Sequence, residues 1–264
     1  MKNINSISGI FCRACLFTII FSFMSGNAFS TPPKTWEMAK KAKMTKGTDK
    51  APEGYVEVDL FQAIADGKVQ AGIIQEGMAK GKLFMENVSD KPLSVKVPQT
   101  FGTRPILAQF NQNSNDIEQL FGSNGQMDGG GGGFFNIPPE KVVAMKYNSL
   151  CLEYGKPVPS SRSDYELVSI DDVTDKEDVK QLCTLIGTTD LSALQLAAWH
   201  LSSGVPVEKL AAEKVRRANG RYTNYFSQKQ VQIGIAAIKK ARGMAQQIAA
   251  LKASQDTSTG NSVN

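Results

Sequence analysis

The chain has 264 residues, with 30 Lys and Arg against 25 Asp and Glu, one histidine and four cysteines. A single histidine, His200, excludes sites built from two or three imidazoles, such as the common catalytic zinc centres. A hydrophobic content of 41% is too high for a disordered chain and too low for a multi-span membrane protein.

Lys2 and Arg13 flank a polar start, and Ala14 to Met24 then form an almost wholly apolar stretch. Ala28-Phe29-Ser30 follows, with small residues at its first and third positions. This order predicts a secretory signal peptide over 1–30, cleaved between Ser30 and Thr31, and a secreted or periplasmic location. The apolar run is shorter than the about 20 residues a bilayer span needs, so no transmembrane span is expected in the mature chain. Cys12 and Cys15 leave with the signal, and Cys151 and Cys183 remain.

Residues 31–54 are rich in Pro and Lys and read as a flexible basic linker, with Trp36 as its one candidate for docking. The region 55–170 carries an all-β pattern after one short helix, Asp59 to Asp66, that ends at Gly67. Strands are expected at 69–75, 82–87, 93–97, 106–110, 141–152 and 165–170. The second and third read as paired strands of a sandwich, with Leu93, Val95 and Val97 on one face. Residues 111–133, rich in Asn, Gln and Gly, cannot make a packed core and read as a flexible glycine-rich loop. That loop lacks the Gly-Lys-Ser/Thr ending of a phosphate-binding loop.

The region 171–253 is helical. Val179, Leu182, Cys183 and Ile186 share one helical face, and helices over 191–201 and 206–217 follow. Ser227 is the expected N-cap of a last helix running to about Ala253, with the stripe Val231, Ile235, Ile238, Ala241, Ala245 and Ile248. Residues 254–264 read as a disordered tail. The fold expected is thus α+β: an immunoglobulin-like β-sandwich with a glycine-rich loop, followed by a helical C-terminal region.

Charge is segregated along this order. Residues 55–207 sum to −7 and residues 208–264 to +7, with no acid between Lys214 and Gln255. Lys239, Lys240 and Arg242 fall off the apolar stripe of the last helix. They point to an anionic polymer or membrane surface as partner, or to a solvated face against the acidic body. Nucleic acid is not expected for an exported protein.

The candidate chemistry is sparse, and no catalytic residue, cofactor or metal site is assigned. Cys151, on a strand, and Cys183, on a helix, are either two buried thiols or a disulfide tying the β part to the helices. Closing that loop would contribute roughly 3–4 kcal/mol. His200 has Ser202 and Asp190 nearby in sequence, but no nucleophile elbow accompanies them. The acidic run Asp171 to Asp178 lacks the loop glycine and terminal Glu of an EF-hand, and it suits the first turn of a helix.

Leu150-Cys151-Leu152 and Gln195-Leu196-Ala197-Ala198-Trp199, in β-then-α order, resemble the motifs of bacterial surface thioester domains. The resemblance implies that a Cys thiol and a Gln carboxamide condense with loss of ammonia, leaving an electrophile that captures amines. Cys151 matches the family's Cys, although Leu194 stands where the family has Thr. The bonding Gln of that family lies in an apolar-Gln-x-x-apolar element, matched here by Gln232; Gln195 is the alternative. A wider resemblance, over roughly residues 70 to 230, is to exported proteins of planctomycete-type bacteria with a glycine-rich loop. It rests on the glycine run before Phe134-Phe135, on Cys151 to Pro157, and on Gln195 to Leu201, and it implies export and a shared fold. The function expected is a non-enzymatic structural or binding module of the cell envelope, with a thioester adhesion domain as the alternative.

Overall fold

The computed structural model describes residues 35–106, 123–127 and 133–259, with the backbone alone for 123–127 and 256–259. The signal segment 1–30, the expected loop apart from 123–127 and Gly133, and residues 260–264 lie outside the described residues.

The segment expected as a linker is structured from Thr35 onward. Helix α1 (Thr35–Lys41) buries Met38 against Phe84, Val142 and Ala144. Strand β1 (Lys43–Met44) then pairs in parallel with β9 (Val142–Cys151). A little further on, Thr48 exchanges two backbone hydrogen bonds with Phe134 of β8 (Gly133–Ile137). Trp36 is half exposed, with the Lys40 ammonium 4.1 Å from its ring centroid. One buried Met in a polar segment makes no period, so composition alone suggested a linker.

Strands β3 (Val69–Gln75), β4 (Lys80–Asn87), β6 (Thr100–Pro105), β7 (Ser123–Met127) and β10 (Tyr165–Val168) complete one sheet of order β1-β9-β4-β3-β10-β6-β7. The six strands from β1 to β6 in that order curl into a half-barrel. β7 pairs with both β6 and the end of β9, so the hydrogen-bonded order returns on itself. β7 lies inside the stretch expected as loop and corrects that reading for 123–127. Its Ser-Asn-Gly-Gln-Met sequence has no alternation, and only the partner edges make it a strand. Of the strand expected at 106–110, Ile106 directly follows β6, and 107–110 lie outside the described residues.

The second sheet is β2 (Val56–Asp59), β5 (Leu93–Val97) and β8, with β2 and β5 parallel. Alternation on β5 works as expected: Leu93, Val95 and Val97 are buried, joined by Phe135 and Ile137 of β8. They meet Leu83, Met85, Val143 and Met145 of the large sheet in one core. β4 and β5 are not paired, however; they lie in different sheets. Fully buried Asn87 holds this crossing. Its Nδ2 donates to the carbonyls of Lys91 (2.7 Å) and Ile137 (2.9 Å), and its Oδ1 accepts from Ser89. The architecture is α+β, with two sheets about one core, and it displays no clear immunoglobulin-like sandwich.

Helix α2 (Leu60–Ala65) is capped by the Asp59 carboxylate, which accepts from the Phe61 and Gln62 amides. Helices α3 (Glu177–Cys183), α4 (Leu191–Ser203), α5 (Val207–Ala212) and α6 (Gln228–Thr259) follow in the expected order. α5 is shorter than expected, because residues 214–224 fold into a separate two-stranded ribbon, β11 (Lys214–Arg216) and β12 (Tyr222–Asn224). α6 opens with a capping box. Ser227 Oγ accepts from the Gln230 amide, and Gln230 Oε1 accepts from the Ser227 amide. The helix runs on through 254–259, which were expected to be disordered. Its stripe shifts at one position: Ile235 is exposed, and Gly234 faces α4 instead. A Cβ at Gly234 would lie 3.0 Å from the Ala193 carbonyl, so the missing side chain sets how closely α4 and α6 approach.

A buried polar group sits inside the large sheet. Tyr147 Oη donates to Gln75 Oε1 (2.6 Å), Gln75 Nε2 donates to Ser149 Oγ (2.8 Å), and Ser149 Oγ donates to the Met78 carbonyl (2.9 Å). Gly81, paired with Tyr147 across β4 and β9, leaves room for that hydroxyl. A Cβ at Gly81 would collide with Tyr147 Oη and lie 2.9 Å from the Ile74 carbonyl. Gly81→Ala is therefore expected to cost about 1–3 kcal/mol, read as a lower urea midpoint. Adding Tyr147→Leu removes both side-chain atoms it strikes, Oη and Cζ, so the double variant should lose less than the sum of the singles. Strict additivity would place the collision elsewhere.

Candidate functional site

The site forms where β9 outlasts β4. Their last register pair is Lys80 with Asn148, and the Ser149 amide then donates to the Ala79 carbonyl at 2.8 Å. Backbone direction repeats every second residue, so the amide and carbonyl of Cys151 point to the same side as those of Ser149. No strand is left there to meet them. Gln195 of α4 takes that place: its Oε1 accepts from the Cys151 amide (3.0 Å), and its Nε2 donates to the Cys151 carbonyl (2.7 Å). Cys151 is 4% exposed and Gln195 7%, so each of these groups would otherwise be buried without a partner.

The next residues of the chain are held by the same helix. The Leu152 carbonyl accepts from the hydroxyls of Ser202 and Ser203, and Ser203 Oγ accepts from the Tyr154 amide at 3.1 Å. Lys176 Nζ caps the far end of α4 by donating to the carbonyls of Leu201 (3.1 Å) and Ser202 (2.8 Å).

Trp199 lies one turn beyond Gln195 and is 5% exposed. Its ring packs against Tyr154, Tyr225 and Phe226, with centroids 5.3, 5.8 and 6.0 Å away. The indole Nε1 is buried with no hydrogen-bond partner, and it lies near enough to the Cys151 sulfur to favour a thiolate there. Burial dominates all the same and pushes the Cys151 thiol above its ordinary value; the Glu153 backbone and the nearby Trp199 indole oppose it without cancelling it. The arrangement is a shielded, protonated sulfur beside an unsatisfied donor.

The remaining candidates are placed as follows. His200 Nδ1 lies 2.9 Å from the Val205 carbonyl and so carries its proton toward it; Nε2 then accepts from Arg242 Nη2 at 3.2 Å. Neither Ser202 nor Asp190 is joined to the His200 ring: Ser202 bonds the Leu152 and Ala198 carbonyls, and Asp190 caps α4 by accepting from the Ala193 amide. Arg242 is thus the partner of His200, whereas Lys239 and Lys240 are exposed on α6. Gln232 is exposed on α6, whereas Cys151 is buried. Cys183 is buried among the helices and is not joined to Cys151 by a disulfide. In the acidic run, Asp171 pairs with Lys180, and Glu177 accepts from Gln181 at 2.8 Å. Among the described residues, no group of acidic, His or Cys side chains is placed to hold a metal ion.

Sequence reasoning named Cys151 and Gln195 but missed that the carboxamide serves the cysteine's backbone. It also missed Ser203, Lys176 and the indole N–H. The available signal was the spacing of Gln195, Trp199, Ser202 and Ser203, which puts polar groups on one face of an otherwise apolar helix. Compared with protein-family models, curated proteins and solved structures, the chain finds no match.

Gln195→Leu leaves two buried backbone groups unpaired and is expected to cost about 2–5 kcal/mol in urea unfolding. Gln232→Leu, on the exposed face, should stay within about 0.5 kcal/mol of the parent chain. Equal effects would refute the clamp. Alkaline pH gives a second check. The unfolded thiol loses its proton near its ordinary value of 9.0 while the folded one retains it. Above that value the unfolded state binds fewer protons, so stability falls as pH rises through it. Unfolding midpoints measured on either side of about pH 9 should drop more for the parent chain than for Cys151→Ala.

Proposed function

We propose that the chain is an exported, non-catalytic structural or binding module of the cell envelope. The observation that carries this reading is where the polar side chains of α4 go. Gln195, Ser202 and Ser203 all serve the backbone at the end of β9, and His200 serves Val205 and Arg242. Groups used in this way hold a helix to a sheet. A general base would need its lone pair turned toward a substrate proton. The acid-free stretch from Lys214 to Gln255, with Lys239 and Lys240 exposed, supports an anionic polymer or membrane surface as the partner. No helix among the described residues is long and apolar enough to cross a membrane.

The test has two parts. Protein recovered from the envelope fraction should begin at Thr31; recovery in the cytoplasm with residues 1–30 retained overturns export. Binding to anionic polymers or vesicles should weaken with added salt and with Lys239→Glu/Lys240→Glu. Salt-independent binding, or none, overturns the basic-surface reading.

A thioester between Cys151 and a glutamine is the second reading, and one observation favours it. An unpartnered indole N–H, that of Trp199, stands near the Cys151 sulfur, where it would donate to a thioester carbonyl. The thiol would add to the carboxamide carbon, the C–N bond would break, and ammonia would leave with the thiol proton. Intact mass decides: loss of one ammonia, restored as an adduct by methylamine, establishes the bond. A mass matching the unmodified mature sequence excludes it.

A further inference from the structure

We propose that one face of the β11–β12 ribbon is a binding face for an acidic polysaccharide, an inference that rests on the anionic-partner reading above. The ribbon stands outside both sheets, with register pairs Lys214 to Asn224, Val215 to Thr223 and Arg216 to Tyr222. Directly paired residues share a face and alternate residues change face. Lys214, Arg216, Tyr222 and Asn224 therefore lie together on one side, and all four are exposed. Val215 is half-buried on the other side, where Arg217 Nε donates to Thr223 Oγ1 at 2.7 Å.

Tyr222 is 67% exposed, more than any other large hydrophobic residue among those described. An exposed aromatic ring on a strand offers a surface for the C–H face of a pyranose. Asn224 beside it supplies a donor and an acceptor for hydroxyls, and Lys214 and Arg216 supply charge for carboxylates. No acid lies between Lys214 and Gln255 to neutralise them. Glu213, just before β11, is occupied by the Tyr154 hydroxyl at 2.8 Å. A charged lipid surface would use the cations and take up the ring at its headgroup level, but the paired donor and acceptor of the Asn224 amide suit the hydroxyls around a sugar ring.

The ribbon is also pre-positioned. The Tyr225 amide donates to the Glu213 carbonyl at 2.8 Å, closing the ribbon at its base. Tyr225 and Phe226, the two residues after β12, pack on Trp199 in the helical core. The four-residue face is therefore presented from a fixed base, which lowers the ordering cost of binding.

The test uses the mature chain, with sodium polygalacturonate as probe, dextran as neutral control, and phosphatidylcholine vesicles containing phosphatidylglycerol as the lipid arm. Polygalacturonate should bind and dextran should not. Tyr222→Ala should weaken binding about tenfold at unchanged net charge, and Arg216→Ala should weaken it similarly while lowering the salt dependence. Tyr222→Trp should retain binding. Circular dichroism of each variant should match the parent. If polygalacturonate binds but Tyr222→Ala and Arg216→Ala do not weaken it, the ribbon proposal fails and the α6 surface stands. Binding to vesicles alone overturns the polysaccharide assignment, and binding to no anionic probe overturns the parent reading as well.

Discussion

The end of β9 sets the constraint from which the helical half follows. Cys151 and Leu152 are buried, yet the neighbouring strand has already stopped. A buried amide or carbonyl without a partner costs roughly 1–3 kcal/mol, so the chain needs polar side chains at that point. A helix supplies them most economically, since residues four apart share a face and reach the same line. Gln195 meets Cys151, and Ser202 and Ser203, two turns on, meet Leu152. The axis of α4 is thereby laid against the end of a strand.

Once α4 is fixed, its neighbours have few ways to sit. Lys176 at the start of α3 neutralises the carbonyl end of α4, which brings the two helices into register. Gly204 ends α4 in the left-handed conformation, with its amide donating to the His200 carbonyl, and turns the chain toward α5. Gly234 lets α6 approach the Ala193 and Leu196 turn of α4. His200 then reaches Arg242 on α6 from the edge of that contact. The basic helix is thus held partly by apolar packing of Ala237, Ile238 and Ala241 and partly by the His200 imidazole.

Much of this was legible in the sequence where a period existed. Leu93, Val95 and Val97 alternate and are buried together; Val179, Leu182 and Cys183 share a helical face and do likewise. What was not legible depended on partners distant along the chain. β7 has no pattern of its own and is a strand because the edges of β6 and β9 are both open to it. β1 and Thr48 stitch the two sheets from a segment whose lysines dominate its composition. β4 and β5 looked like neighbours because a turn joins them, but a turn governs direction and not sheet membership. Asn87 carries the chain across, and one buried amide leaves no trace in a hydrophobic profile.

The candidate site divides in the same way. Cys151 and Gln195 stood out as residue types, but the geometry of a strand decides what the pair can do. The amide and carbonyl of a strand residue lie in the plane of the sheet, and its side chain leaves that plane nearly at right angles. Gln195 meets Cys151 in the plane, through both atoms of its carboxamide. The same carboxamide cannot hold both backbone bonds and present its carbon to the sulfur. Acylation by Gln195 would release the amide and carbonyl that brought α4 to the strand, undoing the contact that places the helix. A thioester at this site therefore calls for a second glutamine, one that approaches the sulfur from outside the sheet while Gln195 stays in place. The indole of Trp199, near the sulfur and with nothing bonded to its N–H, has a donor to give the carbonyl of such a thioester.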